Sequence, residues 1–197
     1  MILTSQVLLW AAVVIQAALI AALARQVGVL HERIAPAGAL TLHQNVRVGD
    51  VPTPLELKAI DGETVVVGGK RSGRSQLVFF ASPDCPVCKS LLPVLRSSAE
   101  AERDWLDVVL AGDGDAAAYR RLAVEHGLGR LPLLLSEALG RAFGVSKLPY
   151  AVLIDESGKV ASLGLINSRE HLESLFEAKE RGVASLQEFL AKRNGAA

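Results

Sequence analysis

Leu77-Val78-Phe79-Phe80-Ala81, running into Ser82-Pro83-Asp84-Cys85-Pro86-Val87-Cys88-Lys89, decides how this chain folds. Five apolar residues with no polar interruption have the length of a strand buried on both faces. Pro86 then stands where a first helical residue is expected, because its missing N–H is not needed there. From Lys89 to about Glu102, Leu91, Leu92, Leu95 and Ala99 recur on a helical period, with Pro93 expected to kink the helix. The stretch therefore reads as a buried strand feeding a C-x-x-C that opens a helix.

That placement has a chemical meaning. Two intervening residues hold the sulfurs close enough to bridge. Cys85, at the helix N-terminus, meets free amides and the positive end of the helix dipole, which favour a thiolate. It reads as the attacking nucleophile, and Cys88, one turn inside, as the resolving thiol. Lys89 adds a positive charge nearby. The chain holds 2 cysteines in all. A disulfide-stapled scaffold and a self-contained four-cysteine zinc site are excluded. A C-x-x-C can also be half of a shared zinc site, a pair of buried structural cysteines or a copper site. The strand–C-x-x-C–helix order favours redox chemistry.

Upstream, Leu55-Glu56-Leu57-Lys58-Ala59-Ile60 alternates with period two, Asp61-Gly62 is a turn signal, and Thr64 to Val67 resumes. This is a β-hairpin. Gly68 to Ser75 is a polar, glycine-rich loop. Downstream the rhythm repeats, with strands at Leu106 to Ala111, Leu131 to Leu135, Tyr150 to Ile154 and Lys159 to Leu165. Helices are expected over Asp115 to Gly127, Glu137 to Phe143, Ser168 to Arg181 and about Ala184 to Lys192. Asp113-Gly114-Asp115 reads as a turn and helix cap, not a calcium loop. His171 reads as a capping or surface residue, with substrate docking or metal binding as the alternatives. His31, His43 and His126 lack ligand spacing. Alternating strands and helices closed by a hairpin and a helix describe a mixed α/β sheet flanked by helices.

At the N-terminus, Ile2 to Ala24 contains no charged side chain. A transmembrane helix needs about 20 such residues. The expected organisation is a transmembrane anchor over residues 1–24, a juxtamembrane linker over 25–49 and a folded domain over 50–197. Ala22-Leu23-Ala24 also resembles a signal-peptide cleavage site, but no basic segment precedes the apolar run. Arg25 and Arg33 follow the anchor and none precedes it, so charge alone would leave the domain in the cytoplasm. The chain is 50% hydrophobic and 21% charged with a formal net charge of +0, which excludes disorder and makes nucleic acid an improbable partner.

Lys147-Leu148-Pro149-Tyr150, just ahead of a strand, adds a second element. With the C-x-x-C it makes the chain resemble the thioredoxin superfamily, especially members that carry an N-terminal anchor and a hairpin before the core. The resemblance implies a cis-proline at Pro149, packed against the cysteines, with the Leu148 backbone free to pair with an incoming peptide. The chain departs from that pattern in two places. Thioredoxins place a buried carboxylate six residues before the first cysteine, where Phe79 stands. The residue just before the cysteine, commonly aromatic, is Asp84, whose charge works against a thiolate. Glu56 or Lys58 of the hairpin are candidates for the missing proton relay. A peroxiredoxin would need Pro and Thr where Val78 and Ser82 stand.

Longer blocks narrow the likeness: Ala24 to Leu40, Ser82 to Lys89 with Asp84, Pro86 and Val87 around the cysteines, Lys147 to Asp155, and Asn167 to Glu177. Through them the chain resembles the MauD family of methylamine utilisation accessory proteins. The resemblance implies a membrane-anchored, periplasmic thiol–disulfide oxidoreductase or isomerase without cofactor or metal. Its client would be the disulfide-rich small subunit of methylamine dehydrogenase, and a redox partner would recycle it. It also places the domain in an oxidising compartment, against the charge rule. The alternatives are a redox-independent binding chaperone for that client and a copper or metal chaperone.

Overall fold

A computed structural model describes residues 6, 10, 13–20 and 46–181. Residues 13–20 are helical, and among the described residues no helix is long and apolar enough to cross a membrane. Most of the expected anchor and linker, and the expected helix from Ala184 to Lys192, lie outside them. The chain separates into two compact units, Met1–Thr41 and Leu42–Ala197, and the second holds the fold described next.

Its elements run in the order β1 (Leu55–Lys58), β2 (Thr64–Val67), β3 (Ser75–Phe80), α1 (Pro86–Ala101), β4 (Leu106–Gly112), α2 (Ala116–Glu125) and β5 (Leu133–Leu135). There follow α3 (Glu137–Ala142), β6 (Tyr150–Ile154), β7 (Val160–Leu165) and α4 (Arg169–Arg181). The main sheet has the order β5-β4-β3-β6-β7. β3 lies parallel to β4 and antiparallel to β6, and β7 closes the far edge antiparallel to β6. The apolar run is thus the central strand, and every residue of it is buried.

Alternation along β3 sorts its side chains into two layers, because successive Cβ atoms point to opposite faces. Leu77 and Phe79 join Cys88, Leu92 and Leu95 of α1, Tyr119 and Leu122 of α2, and Leu172 and Phe176 of α4. Val78 and Phe80 face Val65 and Val67 of the hairpin and Leu139 and Phe143 at α3. Each large aliphatic side chain sealed there contributes about 1.5–3 kcal/mol of transfer free energy. Segment 46–50 belongs to the same body. Val46 is buried, Gly49 donates to the Val160 carbonyl at 2.8 Å, and the Val160 amide returns a bond to Asp50 at 2.9 Å.

Several expected boundaries move for identifiable reasons. β1 stops at Lys58 rather than Ile60, because Ala59 bridges to Leu134 and the Ile60 amide donates to the Leu133 carbonyl at 2.9 Å. The hairpin is thereby tied to β5, and its connection is longer than a two-residue turn. β3 starts two residues early, at Ser75-Gln76, despite their polarity. Gln76 is fully buried, accepts from the Gly68 amide at 2.9 Å and donates to the Val66 carbonyl at 3.0 Å. α1 runs unbroken from Pro86 to Ala101 with Pro93 inside it. The turn expected at Asp113–Asp115 is present, with the Asp115 carboxylate accepting from Ala117 and Ala118 at 3.0 and 3.2 Å. His171 caps as expected: its Nδ1 accepts from the Asn167 amide at 3.3 Å.

Candidate functional site

β3 delivers the chain to the cysteines through Ala81–Asp84. Cys85 is the N-cap of α1, with extended backbone at φ −91 and ψ 112. Its amide donates to the Ser82 carbonyl at 3.2 Å, and its own carbonyl accepts from Lys89 at 3.2 Å. Its sulfur accepts from the Cys88 amide at 3.3 Å. The reactive sulfur therefore sits where a capping oxygen would, over unpaired helix amides, and negative charge on it is favoured.

The two thiols differ sharply. Cys85 is half-buried, whereas Cys88 has 0% exposure within the apolar layer. Burial pushes the Cys88 thiol up from 9.0 to about 12, and hydrogen bonding with Cys85 adds to the rise; hydrogen bonding from the Ser82 backbone draws it partly back. A half-open sulfur on a helix N-terminus in front of a sealed, protonated one is the asymmetry that sequential thiol exchange requires.

The neighbouring positions take the following places. Pro86 is the first residue of α1, and Val87 is 41% exposed beside it. Asp84 is exposed, its amide donating to the Ser82 hydroxyl at 3.2 Å, and Lys89 is exposed on the helix. The Leu148–Pro149 bond is cis. The Phe80↔Tyr150 pairing brings Leu148 and Pro149 to the sheet end from which the cysteines emerge. Pro149 is buried, and its carbonyl accepts from the Ile166 amide at 3.0 Å. Leu148 is 38% exposed and lines a cavity of about 320 Å³ with Ala81, Gly112, Asp113 and Glu137. A larger cavity of about 660 Å³, lined by Arg71, Arg74, Arg96, Leu106 and Asp107, contains neither cysteine.

One expectation fails. Glu56 and Lys58 do not supply a proton relay. Both are exposed, while Leu55 and Leu57, which alternate with them, pack on the layer of Val78 and Phe80, across the sheet from Cys88. Phe79 does occupy the Cys88 face, fully buried.

Sequence reasoning missed Tyr119. Its hydroxyl donates to the Ala81 carbonyl at 2.8 Å and accepts from the Asp113 amide at 3.2 Å. Burial pushes that hydroxyl above its ordinary value, so it stays a donor. Gly112 makes room for it, since a Cβ there would clash with the phenol. On an amphipathic helix Tyr119 and Leu122 look like ordinary core residues, and only the tertiary contact gives the tyrosine its role.

The thioredoxin-like domain family matches residues 63–180. The fold is shared with StoA from Bacillus subtilis, at TM-score 0.54 and 22% identity over 64% of this chain and 98% of that one. It is shared equally with the thioredoxin domain of a thiol-disulfide oxidoreductase from Bacteroides vulgatus, at TM-score 0.55 and 16% identity over 66% and 97%. Nearer in sequence is the methylamine utilization protein MauD of Methylophilus methylotrophus, 41% identical over 99% of this chain and 92% of the relative. MauD of Paracoccus denitrificans is 41% identical over 98% and 96%. With that identity over nearly its whole length, and a thioredoxin-like domain carrying its two cysteines, the chain belongs to the MauD family.

Proposed function

We propose that this protein is a thiol–disulfide oxidoreductase that matures a disulfide-rich client by exchange through Cys85 and Cys88. The observation that carries this reading is the paired geometry of the cysteines: one sulfur capping a helix and reachable from solvent, the other sealed behind it. Family membership supports methylamine utilization as the setting, and the client we infer is the small subunit of methylamine dehydrogenase. Leu148, the residue before Pro149, supports an edge on which an extended client segment lies beside the reacting sulfur. The domain is inferred to work in the periplasm, held to the inner membrane by residues 1–24.

In the reaction, the Cys85 thiolate attacks one sulfur of a disulfide. A Cys85–client bond forms as the client bond breaks, and the departing thiolate takes a proton from water. Cys88, once deprotonated, attacks the Cys85 sulfur and releases the second client thiol. The client gains two electrons and the Cys85–Cys88 pair loses them; the reverse sequence oxidises a client dithiol.

The decisive experiment uses cells that make active methylamine dehydrogenase. Cys85→Ser is expected to abolish maturation, and Cys88→Ser to trap a mixed disulfide with the client on non-reducing gels. Normal maturation by both variants, or by the double serine variant, would overturn the redox reading in favour of a binding chaperone. A membrane-impermeant thiol reagent on intact spheroplasts should label Cys85. Labelling only after lysis would overturn the periplasmic placement.

A further inference from the structure

β5 stops short of β4, and the uncovered part of β4 borders a cavity with a surplus of arginines. β4 runs from Leu106 to Gly112, but β5 pairs only with Leu110, Ala111 and Gly112. At the boundary the Leu110 amide donates to the Pro132 carbonyl at 2.9 Å. In a parallel ladder every second residue turns its N–H and C=O to the same neighbour, so Val108 faces the way Leu110 does. The next donor along the neighbouring chain would come from residue 132, and proline has no N–H. Among the described residues nothing on that side bonds to the Val108 backbone, although the residue is only 6% exposed. A buried peptide group is costly to leave unpaired, so this edge favours a guest that brings both a donor and an acceptor. Leu106, the other residue facing that way, is already satisfied. Its N–H bonds the Glu102 carbonyl at 2.9 Å, and its carbonyl accepts from Arg74 at 3.3 Å. The edge therefore offers one backbone pair, and side chains must supply the remaining attraction.

Val108 lies in the wall of the cavity of about 660 Å³. Arg71 and Arg74 share the single carboxylate of Asp107 there. Arg96, Arg103 and Arg130, all exposed, line it with only two further carboxylates, Glu63 and Glu100. The surplus is positive and suits an acidic guest. The segments of this chain outside the described residues do not provide one. Residues 21–45 hold one glutamate against two arginines, and residues 182–197 one glutamate against a lysine and an arginine.

We propose that the Val108 edge of β4 is a docking site for an acidic, extended segment of another polypeptide, which adds to the sheet in line with β5. Its backbone pairs with Val108, and its carboxylates meet Arg96 and Arg130. The cavity contains neither cysteine, so a segment held there leaves Cys85 open. It is bound, not oxidised or reduced.

The test uses the full-length protein in detergent and a short fluorescent peptide of alternating glutamate and valine, followed by fluorescence anisotropy at low salt. Saturable binding is expected. An analogue with esters in place of the backbone amides keeps the shape and charge but lacks the N–H donors. It is expected to bind about five- to tenfold more weakly, the scale of one lost hydrogen bond. Arg96→Glu and Arg130→Glu, both at exposed positions, are each expected to weaken binding about threefold. Alkylation of Cys85 is expected to leave it unchanged. Equal binding by the ester analogue would reduce the site to a contact for any anion and overturn strand addition. Binding that survives both charge reversals, that a lysine–valine peptide matches, or that Cys85 alkylation abolishes overturns the proposal, and so does no binding at all.

Discussion

At the scale of single residues, Cys88 ties function to stability. Its thiol lies above the ordinary value in the folded protein, so the folded and unfolded states bind the same proton below about pH 9 and differ above it. The stability this proton represents is fully present below pH 9. It is lost as pH rises toward 12, because the unfolded thiol ionises first. Reduced protein is therefore expected to lose stability above pH 9 by up to about 1.4 kcal/mol per pH unit, the linkage slope for one proton. Urea titrations of the reduced wild type against Cys88→Ala at pH 8, 9, 10 and 11 check this; parallel curves would refute it. The placement of the cysteines, one capping the helix and one a turn inside it, was legible in the sequence, since spacing and the helix start are local properties. Tyr119 was not, because its value lies in reaching the carbonyl of Ala81, 38 positions earlier in the chain. Glu56 and Lys58 misled for the opposite reason: a charge in a strand says nothing about which layer of the sheet it faces.

Among secondary-structure elements, the hairpin is tied to β5 at Ala59 and Ile60 and to β3 by one buried polar side chain. Gln76 reaches out of β3 to bond Gly68 and Val66, at either side of the end of β2. Gln76→Leu preserves bulk but strands the Gly68 amide in a buried place. It is expected to cost about 1–3 kcal/mol, with a lower urea midpoint; an unchanged midpoint would show that water replaces the bond. Period-two and period-3.6 patterns found every element of the sheet, because burial on one or two faces writes itself into the sequence. Element ends were less readable. β1 ends where β5 captures Ala59 and Ile60, a non-local event, and Ser75-Gln76 join β3 through partners supplied by other segments. The turn at Asp155–Gly158, between β6 and β7, is self-contained. Burial pushes the Asp155 carboxyl up, but bonds from Ser157 and Lys159 outweigh it and hold the group below its ordinary range.

For the molecule as a whole, one face of the sheet carries the chemistry and the other carries the hairpin and α3. Arg71 and Arg74 pair with Asp107 at the opposite end of β3 and β4 from the cysteines, so charge at that end bears on folding rather than on exchange. Five residues of register separate the two ends, about 16 Å of strand. The complete sealing of Cys88 has a kinetic corollary. In the proposed exchange a single sulfur is the doorway for every incoming and outgoing disulfide, so any two exchange partners would have to react with it in turn. Turnover is therefore expected to follow ping-pong kinetics, with parallel double-reciprocal lines and each partner inhibiting competitively at high concentration. Intersecting lines would mean that a second docking place lets both partners bind at once.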